Sequence, residues 1–153
     1  MKTPPPESSP PKTILVVEDN DSYRQLVSAS LARALPLHRI IEADSVQSAR
    51  EAATVETLDV AVLDLTLPDG MATDIIEGWQ SHLRDGLKVL VFSSYEAEEV
   101  APALLGLGIH EYVNKERGMK PLIQAIQAVV QGASGKKEVQ INASGSNIAE
   151  GAL

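Results

Sequence analysis

Three acidic side chains stand where apolar runs of strand length come to an end. Val60-Ala61-Val62-Leu63 delivers Asp64 and breaks at once into Leu65-Thr66-Leu67-Pro68-Asp69-Gly70, and Thr13-Ile14-Leu15-Val16-Val17 delivers Glu18 and Asp19. In an open α/β sheet the ligand crevice lies outside the carboxyl ends of the strands, so an acid placed there faces a binding site and is not lost in the core. If the two strands are neighbours, three carboxylates converge, and such a cluster needs a cation to be tolerable. Two further strand-like runs end on a hydroxyl and a cation: Ser93 follows Val-Leu-Val-Phe, and Lys115 follows Glu-Tyr-Val-Asn.

The elements that would position these groups alternate strand with helix. Strands are expected at Thr13–Glu18, His38–Ala43, Leu58–Leu63, Leu87–Ser93 and Ile109–Asn114. Several are continuous Val/Ile/Leu runs, as parallel strands covered on both faces require. Helical periodicity falls between and after them, at Tyr23–Ala34, Val46–Val55, Thr73–Leu83, Glu99–Leu107 and Lys120–Gln131, the last with a buried stripe of Leu122, Ile126 and Val129. Asp21 is placed to cap the first helix and Asp44-x-x-Gln47 resembles a capping box for the second, while Gly108 and Gly132 close the fourth and fifth. Pro102 interrupts the pattern around the fourth helix. An interior proline costs ~3 kcal/mol, so that helix is expected to begin near Glu98 or Glu99 and to leave a long mobile loop after Ser93. Five β-α units imply a doubly wound α/β fold, a parallel sheet with helices on both faces and right-handed connections.

The chain of 153 residues is one domain with tails. Met1 to Lys12 carries five prolines and reads as a disordered arm; the domain spans 13–132; 133–153, rich in Gly, Ser, Ala and Asn, reads as a flexible tail with one short apolar alternation at Val139 to Ile141. Aromatics make up only 3%, so aliphatic packing carries the interior. A net charge of −8 opposes direct contact with nucleic acid, which needs a basic footprint. There are no cysteines, hence no disulfide and no thiolate site. No apolar run approaches the ~20 residues of a membrane span, and the N-terminus has no apolar signal core, so a cytoplasmic location is expected. His38, His82 and His110 lack metal-ligand spacing, and no glycine-rich phosphate loop follows the first strand.

With Glu18-Asp19, Asp64 before Leu-Pro-Asp-Gly, Ser93 and Lys115 each closing an apolar strand in that order, the chain resembles a response-regulator receiver domain of two-component signalling over roughly Lys12 to Gly132. The resemblance implies a flavodoxin-like (βα)5 sandwich with strand order 2-1-3-4-5. It implies that Asp64 accepts a phosphoryl group from a sensor histidine kinase or phosphotransfer protein, and that the chain signals by conformational change rather than acting as an enzyme. It implies Mg2+ held by Asp19, Asp64 and the backbone carbonyl of Thr66, with Glu18 acting mainly through water. Lys115 and Ser93 then contact the phosphoryl oxygens, and Tyr112 is the switch aromatic that turns inward as Ser93 moves.

Each residue also has a plainer reading. Asp64 can be a turn residue, Ser93-x-x-Glu96 a capping box, and Lys115 a solvated strand-end charge. These account for the residues singly and not for their coincidence. The chain departs from the family pattern at Glu116, where many receivers have proline, at Ala72 and Ile109, and at Glu18, where aspartate is more frequent. Two other readings stay open: the receiver segment of a helix-turn-helix transcription factor, and a receiver-like interaction module independent of phosphate. On the fifth helix, Gln124, Gln127 and Gln131 form an uncharged polar face flanked by Ile123 and Val130. That face, with part of the first helix, is the expected surface for homodimerisation or kinase docking.

Overall fold

The Val/Ile/Leu runs become adjacent strands of one sheet in a computed structural model that describes residues 10–132, 140–143 and 146–147. In chain order the elements are β1 (Thr13–Val17), α1 (Asp21–Ala34), β2 (Arg39–Ala43), α2 (Val46–Val55), β3 (Val60–Leu63), a small hairpin of β4 (Thr66–Leu67) and β5 (Gly70–Met71), then α3 (Ala72–Gly78), α4 (Gln80–Arg84), β6 (Lys88–Ser93), α5 (Ala97–Leu104) and β7 (Glu111–Asn114). A 3-10 turn at Lys115–Arg117, α6 (Met119–Val130), β8 (Gln140–Ala143) and β9 (Ser146–Asn147) follow. The sheet order β2-β1-β3-β6-β7 is parallel throughout, the expected 2-1-3-4-5 arrangement. β8 adds to the β7 edge in parallel and β9 pairs with β8 antiparallel. Both lie in the segment read from sequence as a flexible tail; its other residues, and residues 1–9 of the proline-rich arm, lie outside those described.

Alternation along the strands divides the interior into two cores. Ile14, Val16, Val60, Val62, Leu90 and Phe92 pack against Val27 and Leu31 of α1 and Leu122 and Ile126 of α6. Leu15, Val17, Ala61, Leu63, Val89 and Val91 pack against α2, α3 and α5. Burial on both faces is why these strands carry no polar alternation. Each fully buried leucine or isoleucine contributes roughly 1.5–3 kcal/mol, enough to hold strand ends in fixed register.

Some elements differ from expectation. Asn20, not Asp21, caps α1, its Oδ1 accepting from Tyr23 N at 2.8 Å. Ser45, not Asp44, caps α2 in a reciprocal pair with Ser48. The helix expected at Thr73–Leu83 breaks at Trp79, just after Gly78. Glycine resists the helical interior, and burying the indole in the core turns the chain there. Gln80 mends the break, its Nε2 donating to the carbonyls of Ile76 and Leu107 at 3.0 Å each.

Helix α5 starts at Ala97 and stops at Leu104, with Pro102 inside it and Gly106, at φ 89°, turning the chain ahead of Gly108. The loop after Ser93 is therefore three residues rather than long. Two anchors shorten it: Glu96 N donates to Glu99 Oε1, and the Tyr95 carbonyl accepts hydrogen bonds from the Tyr112 hydroxyl and from Asn114 Nδ2. On α6 the buried stripe is Leu122, Ile126 and Val130, with Val129 only partly buried, so Val130 belongs to the core and not to the polar face. The glutamines beside it remain half-buried or exposed.

Candidate functional site

The register between β1 and β3 decides whether the acids meet. Val17 stands opposite Leu63, and Asp64 N donates to Val17 O at 3.0 Å, so Glu18-Asp19 and Asp64 leave adjacent strands at the same level. One carboxylate oxygen from each of Glu18, Asp19 and Asp64 lies within 4.8 Å of the others. The amino-acid patterns at two strand ends are thereby converted into a single acidic pocket.

Its cation arrives from the far side. β7 runs beside β6, and Lys115, directly after β7, reaches across to place Nζ 2.7 Å from Glu18 Oε1 and 3.4 Å from Asp64 Oδ2. The ammonium also sits 4.6 Å from the centroid of the Tyr23 ring, which stacks on Phe92. Tyr23 thus bounds the path of the lysine, a role that its place on a helix face did not reveal. Burial, reinforced by Glu18 and opposed by Lys115, pushes Asp64 up to about 6. For Lys115, burial favours the neutral amine, but the Glu18 hydrogen bond and the Asp64 charge outweigh it and hold the group above the ordinary lysine value. One lysine against three carboxylates leaves negative charge uncompensated.

The pocket suits a small hard cation. Mg2+ takes oxygen ligands at about 2.0–2.1 Å, keeps several waters and is usually held by one or two carboxylates. Asp19 is exposed and Asp64 partly so, whereas both Glu18 oxygens have protein partners, Lys115 Nζ and Asn20 N at 3.0 Å. The donor set therefore fits such an ion through Asp19 and Asp64 first. Thr66 opens β4 two residues beyond Asp64, on the loop bordering this pocket.

That loop is fixed by Asp69, whose place in a Pro-Asp-Gly turn does not reveal its distant partners. Asp69 accepts from Val46 N at 2.7 Å and Gln47 N at 3.0 Å, tying the hairpin after Asp64 to the amino end of α2. Those two backbone donors hold the Asp69 carboxyl below its usual value. Gly70 is required beside it: at φ 156° an added Cβ would stand 2.9 Å from Asp74 Oδ2 and 3.1 Å from Val46 Cγ2.

The hydroxyl and aromatic candidates form a second group. Ser93 closes β6, buried, its Oγ accepting from Tyr95 N at 3.3 Å. Ser93 is thus not a helix cap. Tyr112 is already fully inward, and burial raises its phenol above the usual value. Ser94, which no motif in the sequence marks, lines an open cleft of about 550 Å³ together with Glu18, Tyr23 and Lys115. His38 accepts from Lys12 N and His82 packs edge-on against Trp79, both away from the acids.

The comparisons with known proteins agree with this geometry. Residues 14–127 match the model of the response regulator receiver domain, and the chain belongs to that family. It is 28% identical over 122 residues to the transcriptional regulatory protein PhoP of Escherichia coli K12, covering 80% of this chain and 53% of that one. It is 29% identical over 131 residues to the virulence transcriptional regulatory protein PhoP of Salmonella typhi, covering 86% and 57%. The chain thus spans little more than half the length of these relatives. Among solved structures, a CheY-like receiver domain protein from Methanospirillum hungatei superposes with a TM-score of 0.70 at 21% identity, over 80% of this chain and 95% of that one. The Thermotoga maritima response regulator TrrA, in complex with Mg2+-BeF, does so at 0.67 and 21%, over 77% and 98%. At those identities the likeness speaks for the fold alone. As a receiver domain the chain is a signalling module of response regulators, and among the described residues no helix is long and apolar enough to cross a membrane.

Proposed function

We propose that the chain accepts a phosphoryl group on Asp64 in a Mg2+-dependent reaction, from a sensor histidine kinase or phosphotransfer protein in the cytoplasm, and signals by the conformational change that follows. The observation that carries this reading is the cluster itself: three carboxylates within 4.8 Å, one cation, and Asp64 pushed up to about 6. Bound Mg2+ would neutralise charge between Asp64 and an anionic donor, held by Asp19, Asp64 and the Thr66 carbonyl, with Glu18 contributing through water. An Asp64 carboxylate oxygen attacks phosphorus, the bond from phosphorus to the donor breaks, and an acyl phosphate forms. Lys115, now paired chiefly with Glu18, transfers its interaction to a phosphoryl oxygen as a point charge. Ser93 donates to another, and its departure from Tyr95 N alters the latch that the Tyr112 hydroxyl makes on the Tyr95 carbonyl, which passes the change to α5.

The test is incubation with acetyl phosphate followed by intact-mass measurement. The reading expects one added phosphoryl group with Mg2+ present and none with chelator; no gain in either condition contradicts it. A transcriptional output is supported by the names of the relatives, of which this chain covers about half. The net charge of −8 argues that this chain does not itself contact DNA. Self-association through α1 and the glutamine face of α6 is the companion proposal. Because Val130 is buried, its test is Gln124→Lys with Gln127→Lys, read by sedimentation.

A further inference from the structure

Beside the acidic pocket, Arg24 has three polar partners, and the phosphoryl-transfer scheme gives it no task. It lies in the first turn of α1 with its side chain only 13% exposed. Nη1 donates to the backbone carbonyl of Glu18 at 2.9 Å, Nε donates to Glu42 Oε1 at 2.9 Å, and Nη2 lies 2.9 Å from Asp21 Oδ1. One planar guanidinium therefore joins the loop after β1, the strand β2 and the start of α1.

The Glu18 carbonyl is the informative partner. β1 ends at Val17, and although Glu18 N still donates to Ala43 O at 3.1 Å, its carbonyl has left the ladder. That carbonyl belongs to the same rigid peptide plane as Asp19 N. Fixing its direction fixes the plane from which the Asp19 Cα, and so the Asp19 carboxylate, is launched. Asp19 is exposed and Asn20 already begins the cap of α1, so the peptide before Asp19 is where the loop's geometry is set. Glu42 holds the guanidinium from the strand side, which makes the brace a fork between two elements rather than a single contact.

We propose that Arg24 is a positioning residue for the cation pocket: it aims Asp19 by gripping the Glu18 peptide, without touching the ion or the phosphoryl group. This rests on the reading of the pocket as a Mg2+ site. The sign of the effect separates positioning from simple electrostatics. Arg24 is a cation gripping the backbone of the loop that carries the pocket's acids, so removing its charge alone would tighten the binding of a divalent cation there. Loss of the brace would weaken it, on the scale of about ten-fold that outer-shell partners of metal sites show.

The experiment is calorimetric titration of Mg2+ into the unphosphorylated chain, comparing wild type with Arg24→Ala and Arg24→Lys. Lysine keeps the charge, but its donors all sit on one nitrogen and lack the planar fork whose Nε, Nη1 and Nη2 reach three separate acceptors. The expected result is a dissociation constant raised about ten-fold in both variants, with acetyl-phosphate labelling restored to the wild-type rate at saturating Mg2+. Tighter binding by the alanine variant, or constants within about two-fold of wild type in both, overturns the proposal. If the alanine variant does not fold, the lysine variant carries the test by the same criterion. A wild-type chain that takes up no Mg2+ removes the pocket reading and the proposal together. A wild type that binds while neither variant loses affinity removes the proposal alone.

Discussion

The two ends of this sheet both carry carboxylates and treat them oppositely. At the amino end, Asp59 Oδ2 accepts from Thr13 N at 2.9 Å, capping the edge of β1, and Glu56 forms a two-pronged ion pair with Arg39. Asp59 and Glu56 each have their own partner. At the carboxyl end, Glu18, Asp19 and Asp64 crowd within 4.8 Å and share Lys115. The first arrangement stabilises the fold; the second works against it, since burial and Glu18 raise Asp64 to about 6. A fold keeps like charges in a half-buried cluster when something else neutralises them, which here points to a divalent cation.

The largest effect expected from this contrast is on labelling. Asp64→Asn keeps the shape of the side chain but removes the charged nucleophile, and phosphodonor labelling should fall to background. Asp19→Asn should leave the acceptor intact but raise the Mg2+ dissociation constant about ten-fold, measured by titration.

The next effect is on stability and has a defined pH dependence. Asp64 titrates near 6 in the fold, above its value in an unfolded chain near 4, so between those limits the folded state holds the extra proton. Stability contributed through this group is therefore full below about pH 4, falls as pH rises to about 6, and stays lower above that. Two pK units correspond to about 3 kcal/mol at most, and solvent screening in the open cleft reduces this to about 1–2 kcal/mol. Asp64→Asn should accordingly be more stable than wild type by about 1–2 kcal/mol at pH 7 in urea denaturation, and the two should converge near pH 4. A destabilised asparagine variant at pH 7 would break the contrast between the two ends.

At the amino end the signs reverse. Asp59→Ala orphans the Thr13 N–H and should cost about 1 kcal/mol while leaving labelling unchanged. The smallest effect should come from the loop beside the pocket. Tyr112→Phe removes the donor to the Tyr95 carbonyl, but Asn114 Nδ2 still donates to it at 3.3 Å. A loss of under about 1 kcal/mol is expected, with faster amide exchange over residues 94–96.

What could be read from the sequence follows the same division. Strand ends were legible because apolar runs stop at charged residues, and the pocket is built from those stops: Glu18-Asp19, Asp64 and Lys115. Helix starts were legible to within a residue or two, since several nearby side chains compete for the same N–H groups, as Asn20 with Asp21 and Ser45 with Asp44 show. What stayed hidden depends on partners distant in the chain. Asp69 caps a helix that begins 23 positions earlier, and Arg24 meets Glu42 18 positions on. The break at Trp79 reflects tertiary packing that overrides helical periodicity. Val129 and Val130 are adjacent on α6, and only the sheet beneath decides which one is covered.

The most direct test of the central claim, that the crowded end of the sheet exists to accept a phosphoryl group on Asp64, is to locate that group chemically. The chain is labelled with acetyl phosphate and Mg2+, reduced with borohydride, which converts an aspartyl phosphate to homoserine, and mapped by peptide mass spectrometry. Homoserine at position 64, with Asp19, Asp59 and Asp69 unchanged, is the predicted result. Reduction at any of those three in place of position 64, or no reduced residue in a chain that has gained a phosphoryl mass, would contradict it.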